Sequence, residues 1–229
     1  MNSGYGKTQV LFDINLKVRD RGITVLIGPN GSGKSTLLKT LMGMTDVYSG
    51  KILLNGEDIV GTPPHSLTRM GVAYLPQVNN VFTDLKVSEN LKMAAYTLSN
   101  KEAEELVPQI IENFPIIKQT MEKKAGTLSG GERQMLAMAM AMIKKPNIML
   151  FDEPTGSLAP IIALEVLDKI VELLDEQKTS IIIAEQNAKR ALEHGNDAVI
   201  LVSGRVNYKG DSNELLNNKE LGKIFLGIK

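Results

Sequence analysis

The run Ile23-Thr24-Val25-Leu26-Ile27 leads into Gly28-Pro29-Asn30-Gly31-Ser32-Gly33-Lys34-Ser35, which is followed by Thr36-Leu37-Leu38-Lys39-Thr40-Leu41. A β-branched run, a loop with three glycines and a helical period of leucines read as strand, loop and helix in succession. Glycine has no Cβ and tolerates positive φ, so successive backbone N–H groups can turn inward and hold an anion. A helix that starts near Lys34 adds roughly half a positive charge at its N-terminus. The stretch therefore reads as a phosphate-binding loop, with Gly28, Pro29, Asn30, Gly31, Ser32, Gly33, Lys34, Ser35 and Thr36 as the candidate contacts to a nucleoside triphosphate. An ammonium such as that of Lys34 bridging the β- and γ-phosphates contributes about 4 kcal/mol at a separation near 4 Å in an effective dielectric near 20. The Ser35 hydroxyl suits Mg²⁺, which prefers oxygen ligands and keeps several waters.

With 229 residues the chain can bury a proper core and suits one domain with a subdomain. Lys plus Arg and Asp plus Glu number 26 each, so the basic footprint of a nucleic-acid binder is missing and no nucleic-acid partner is expected. The absence of cysteine excludes disulfides and thiolate metal sites. No apolar run approaches the roughly 18 residues that span a bilayer, and the N-terminus lacks the apolar stretch of a signal peptide. The expectation is a cytoplasmic protein that docks on something in the membrane.

Residues 2–7 read as a turn, and Val10 to Val18 alternates apolar and polar as a half-buried strand does. Its expected hairpin partners include Lys51 to Leu54, which ends at the Asn55-Gly56 turn. Val72 to Leu75 is a short buried strand closed by Pro76. Helical segments follow from about Gln77 to Leu128: one beginning at Ser88, one from Lys101 to Asn113 interrupted at Pro108, and one from Ile116 to Met121. Strands resume at Ile148–Phe151, Ser180–Ala184 and Ala198–Val202, alternating with helices over Ile161–Asp175 and Gln186–Glu193. Continuously apolar strands that alternate with helices indicate an α/β chain with a parallel sheet covered on both faces. Ser203-Gly204 then turns into Arg205–Lys209, and two short helices end the chain.

Asp152 and Glu153 stand at the C-terminal end of the strand Ile148–Phe151, where ligands of open parallel sheets sit. Asp152 is the candidate to hold Mg²⁺ beside Ser35, and Glu153 the candidate general base for an attacking water. A second glycine-rich stretch, Leu128-Ser129-Gly130-Gly131-Glu132-Arg133-Gln134, opens a helix with Ser129 as N-cap. It reads either as a plain capped helix or as a second anion site, and one nucleotide does not need two in the same chain. The second site could then serve the nucleotide of another subunit.

A phosphate loop, LSGGERQ and IMLFDE in this order resemble the ATP-binding subunit of ABC transporters over nearly the whole length. The resemblance implies an α/β P-loop NTPase (RecA-like) core with a mostly parallel sheet, an antiparallel β subdomain and an α-helical subdomain. It places the core in 1–76 and 129–229, and the helical part in 77–128. It also implies an ATPase that dimerises head to tail, with ATP and Mg²⁺ between Lys34 of one copy and Ser129, Gly130, Gly131 and Glu132 of the other. Gln77 matches the glutamine that contacts Mg²⁺, and Tyr5 the aromatic that stacks on adenine or else packs on the surface. Only four residues precede Tyr5, so the usual first strand is either cut short or remodelled. Gln186 stands where the family has its switch histidine, and Ala159 where it has an aspartate. His65 and His194 fall outside the catalytic positions and are expected in solvated loop or helix-end sites.

The stretches Leu158-Ala159-Pro160-Ile161-Ile162 and Ala184-Glu185-Gln186-Asn187-Ala188 are similar to the second ATP-binding subunit of branched-chain amino acid importers. Urea and amide importers share much of this pattern, lipid exporters less, and soluble ABC-type switch proteins on nucleic acid carry fused cassettes that are missing here. Implied partners are membrane permease subunits, a like or related ATP-binding subunit and, indirectly, a solute-binding protein, which places the chain on the inner face of the cell membrane. Val78, Val81 and Phe82 either form a socket for a partner's coupling helix or pack internally.

Overall fold

The computed structural model describes residues 1–177, 179–186 and 188–218. The chain opens with β1 (Asn2–Tyr5), β2 (Thr8–Leu11), β3 (Ile23–Ile27), α1 (Lys34–Leu41), β4 (Asp46–Ser49), β5 (Leu53–Leu54), β6 (Glu57–Asp58), α2 (Pro64–Arg69) and β7 (Val72–Leu75). Four helices follow: α3 (Val87–Ala95), α4 (Asn100–Glu112), α5 (Pro115–Gln119) and α6 (Gly130–Met142). The chain then alternates through β8 (Ile148–Asp152), α7 (Pro160–Gln177), β9 (Ser180–Glu185), α8 (Ala188–His194), β10 (Asp197–Val202), β11 (Arg205–Asp211) and α9 (Ser212–Asn217). None of the described helices is long and apolar enough to cross a membrane.

The main sheet has the order β11-β10-β3-β9-β8-β7, parallel except for the β10–β11 hairpin at Ser203-Gly204. Side chains of a strand alternate between faces, and here both faces are filled. Val25, Ile181, Ile183, Met149 and Phe151 join the core under α6 and α7, whereas Leu26, Ile182 and Leu150 join a second core with Leu37, Leu38 and Leu67 of α1 and α2. Burial on both faces is why these strands read as unbroken apolar runs. Val87, Leu91, Ile110, Phe114 and Ile117 bring α3, α4 and α5 onto the same core as α6.

Several local expectations are corrected. Residues 2–5 are the central strand of a three-stranded antiparallel sheet, β2-β1-β4, so a strand does lead into Tyr5. The alternating segment Val10 to Val18 stays paired only to Leu11. Asp13 takes φ 52 with its N–H on Asn2 Oδ1 at 2.9 Å, and Ile14 exchanges backbone hydrogen bonds with Met1 instead. Leu53-Leu54 pairs with Glu57-Asp58 and not with residues 10–18. Asn55 and Gly56 both hold positive φ, the condition for a two-residue hairpin, and this closes the nearest available ladder.

Pro108 lies inside an uninterrupted α4. A reciprocal cap between Ser99 and Glu102 starts this helix and buried Ile110 holds its far end, which outweighs the missing N–H of the proline. Helix α8 begins at Ala188, so Gln186 precedes it. Of the two expected C-terminal helices, α9 is one, and the other falls outside the described residues. Val78 and Phe82 are exposed, whereas Val81 packs against the core.

Asn90 fastens this last loop to α3. Fully buried, it accepts from Phe82 N at 2.8 Å and donates to Phe82 O and Lys86 O, each at 3.0 Å. Asn90→Leu leaves Phe82 N without its partner and takes a second hydrogen bond from Phe82 O and Lys86 O, which keep backbone donors, so it is expected to lower stability by about 2 kcal/mol in urea denaturation. A loss within experimental error would show that the loop is held by other contacts.

Candidate functional site

The loop after β3 is shaped by its glycines. A Cβ on Gly28 would stand 2.2 Å from Leu201 O and 2.5 Å from Ser32 Oγ, so no side chain fits. Gly33 precedes α1 at φ 103, a conformation that L residues with a side chain avoid. Pro29, Asn30 and Gly31 are exposed at the mouth, whereas Ser32, Lys34 and Thr36 are buried, and Ser32 Oγ has no hydrogen-bond partner. The Lys34 side chain, 5% exposed, donates from Nζ to Gly28 O at 2.8 Å and lies 3.7 Å from Glu153 Oε1. Its ammonium therefore curls back onto its own loop and a neighbouring carboxylate.

Asp152 and Glu153 arrive at this loop because β8 ends beside β9, which itself flanks β3. Ser35 Oγ donates to Asp152 Oδ1 at 2.8 Å, and the Tyr74 hydroxyl donates to Asp152 Oδ2 at 3.1 Å. Burial, and then the Asp152 charge, push the Tyr74 hydroxyl well above the ordinary phenol range. Gln77 Nε2 donates to Glu153 Oε2 at 2.8 Å. Glu153 holds φ 48 with its N–H on Ala184 O at 2.8 Å. A left-handed backbone costs an ordinary residue about 1–2 kcal/mol, so surrounding contacts must enforce it. Asn30, Gln77, Glu153 and the exposed Gln186 line one cavity of about 630 Å³. Ser35, Gln77 and Asp152 supply hydroxyl, amide and carboxylate oxygens, the hard donors that suit a magnesium ion.

Ser129 caps α6, with Glu132 N donating to its Oγ at 3.3 Å and Ser129 N donating to Glu132 Oε2 at 2.7 Å. The Ser129 backbone N–H foremost, and then the Ser129 side chain, hold the Glu132 carboxyl below its usual range. Gly130 and Gly131 also serve packing: a Cβ on them would meet Leu158 Cδ2 at 2.7 Å and Ile162 Cγ2 at 2.3 Å. Ser129, Gly131 and Glu132 line a different cavity, about 890 Å³, together with Phe114, Met135 and Ile162, and no phosphate-loop residue borders it. Asn30 of the first glycine-rich stretch and Ser129, Gly131 and Glu132 of the second thus border two different cavities. Tyr5 ends β1 with 44% of its surface exposed. Ala159 has no polar side chain, and its carbonyl accepts from Ala163 N as α7 starts. His65 lies in α2, and His194 ends α8 at 3.9 Å from Asp168.

The sequence reading missed Tyr74 and Glu185. Tyr74 is paired with Leu150, and alternation puts Leu150 and Asp152 on one face, so the strand register carried a signal for the first. For the second, the signal was a carboxylate at the end of an apolar run. Glu185 is 3% exposed and accepts from Thr155 N at 3.0 Å and Thr155 Oγ1 at 2.7 Å. Burial pushes its carboxyl above the usual range, against these hydrogen bonds.

A family model described as ABC transporter matches residues 11–156. A probable branched-chain amino acid transport ATP-binding protein, LivF, of Archaeoglobus fulgidus is 48% identical over 100% of this chain and 97% of its own length. A high-affinity branched-chain amino acid transport ATP-binding protein, BraG, of Pseudomonas aeruginosa is 39% identical over 97% of this chain and 95% of its own. Among solved structures, the ADP conformation of an ATP-binding cassette of an ABC transporter superposes with a TM-score of 0.87. It covers 99% of this chain and 96% of that one at 22% identity, a likeness of fold.

Glu185 gives a pH test. A folded carboxyl that binds its proton more tightly than the unfolded one loses stability as pH rises from the unfolded value through the folded one. Relative to Glu185→Gln, the wild type is expected to lose stability steadily as pH rises from the ordinary carboxylate range through that raised value. A difference between the two that stays constant with pH, measured by denaturation, would contradict burial as the dominant influence on this group.

Proposed function

The chain belongs to the ABC transporter family, and from that membership we infer that it is the ATP-binding, ATP-hydrolysing subunit of an importer for branched-chain or related amino acids. The observation that carries the reading is the convergence of Lys34, Ser35, Asp152, Gln77 and Glu153 at the mouth of one glycine-rich loop. The backbone amides of residues 28–36 and the α1 N-terminus bind the triphosphate. Lys34 exchanges its bond to Gly28 O for phosphate oxygens. Ser35, Asp152 and Gln77 would hold Mg²⁺, which would neutralise phosphate charge when bound. Glu153 accepts the proton of the attacking water, and Gln186 hydrogen-bonds the γ-phosphate without carrying charge. Tyr5 stacks on adenine.

Lining of separate cavities by the two glycine-rich stretches supports a composite site, in which Ser129, Gly130 and Gly131 close over the nucleotide of a second ATP-binding subunit. Glu132 acts there through the cap it makes. Residues 77–128 form the helical subdomain, and exposed Val78 and Phe82 are the part that permease subunits meet. These partners hold the chain at the inner face of the membrane.

Glu153→Gln keeps the hydrogen-bonding shape and removes the base, so ATP binding and nucleotide-driven dimer formation are expected to persist. Turnover should fall roughly 10²–10⁴-fold, as loss of a general base does. Equilibrium ATP binding together with phosphate release checks both halves. Turnover close to wild type would remove Glu153 from this role.

A further inference from the structure

Helix α6 carries a buried glutamine that the catalytic reading does not use. Gln134 is 9% exposed and lies four residues after Gly130. Its amide is spent on two bonds: Nε2 donates to Pro154 O at 3.0 Å, and Oε1 accepts from Asn80 Nδ2 at 2.9 Å. Three segments thus meet on one side chain. They are the exposed stretch after Gln77, the start of α6 and the turn that begins at Glu153.

We propose that Gln134 is a positioning residue that holds the Glu153 carboxylate by fixing the Pro154 carbonyl, and that Asn80 ties this brace to the exposed segment 77–85. The proposal rests on Glu153 being the base. The proline ring locks φ at residue 154, so the direction of its carbonyl depends on the one remaining backbone torsion there. Gln134 clamps that carbonyl. Upstream, Glu153 N is held on Ala184 O at 2.8 Å, and downstream Thr155 is held by Glu185 at 3.0 and 2.7 Å. The left-handed backbone of Glu153, φ 48, is thereby gripped from both sides, the enforcement that such a conformation needs.

The place asks for a donor facing Pro154 O and an acceptor facing Asn80 at once, and the two ends of the Gln134 amide supply both. Val78 and Phe82 flank Asn80 and are exposed. A partner that moves this segment pulls on Asn80, then Gln134, then Pro154. This gives a second route to Glu153 beside the direct bond from Gln77 Nε2 at 2.8 Å.

The test compares the purified full chain with Gln134→Met, which has similar length and no amide, Gln134→Glu, which keeps the acceptor for Asn80 and loses the donor, and Asn80→Ala. ATP turnover with magnesium is measured alongside hydrogen exchange of the amides in 155–158 without nucleotide. Misplacing a catalytic group by about 1 Å can cost up to roughly 100-fold, so kcat should fall about tenfold or more in both Gln134 variants with KM for ATP within about twofold. Exchange in 155–158 should quicken in both, and Asn80→Ala should lose less kcat than either. Unchanged kcat in the Gln134 variants overturns the proposal. So does full activity of Gln134→Glu beside an inactive Gln134→Met, because the bond to Pro154 would then be idle. A rise in KM matching a loss of thermal stability overturns it as well, in favour of plain packing. A wild-type chain that binds no ATP overturns the reading of the site beneath it.

Discussion

A lysine ammonium buried at the end of a β-strand needs partners, and Lys34 finds them in Gly28 O and the Glu153 carboxylate. Burying a charge without such partners is costly enough to dictate the local structure. The glycine-rich loop curls so that its own carbonyl reaches Nζ, and β8 must end where Glu153 can face it. The sheet serves this place: β3 and β8 both deliver their ends to it, with β9 between them and all three parallel. On the proposed reading, a triphosphate entering the loop offers the ammonium better partners than the carbonyls of Gly28 and Pro29. It thereby frees Glu153 from an electrostatic contact while Gln77 keeps hold of its other oxygen.

The surroundings of Glu153 are stiff. Hydrogen bonds from the turn reach Ala184, Gln134 and Glu185, which stand on β9 and α6. Two of these anchors depend on buried polar side chains, Gln134 and Glu185, set in an otherwise apolar interior. Polar groups in such places are kept where they hold geometry that apolar packing alone does not specify. The end of β9 thus does two things at once: Glu185 grips the Thr155 turn, and the next residue, Gln186, opens into the cavity shared with Glu153.

The glycine-rich turn between β3 and α1, the acidic strand end and the capped α6 were all legible in the amino-acid sequence, because each is a local pattern: glycines before a helix, carboxylates after an apolar run, a serine three residues ahead of a glutamate. The buried strands were legible for the same reason. Where the reading failed, distant partners decided. Residues 12–18 alternate as a strand does, yet Asp13 turns the backbone and Ile14 pairs with Met1. Pro108 looks like a helix break and is carried by a capped, packed helix. Tyr74, Gln134 and Glu185 matter through atoms far away in the chain; strand alternation and the end of an apolar run hint at the first and last, and nothing local announces Gln134. Gly130 and Gly131 were read as open amides, and the steric role of Gly131 against Ile162 emerged only from packing.

Two anion-ready stretches that face different cavities of one chain make sense when a second subunit completes each site. A structure of the full chain with ATP and magnesium examines this most directly. Expected is a triphosphate wrapped by the amides of residues 28–36, Lys34 Nζ moved from Gly28 O to phosphate oxygen, and the Ser129-Gly130-Gly131 cap of another subunit closing the far side. A triphosphate seated in the cavity beside Phe114, with Lys34 still on Gly28 O, would contradict it.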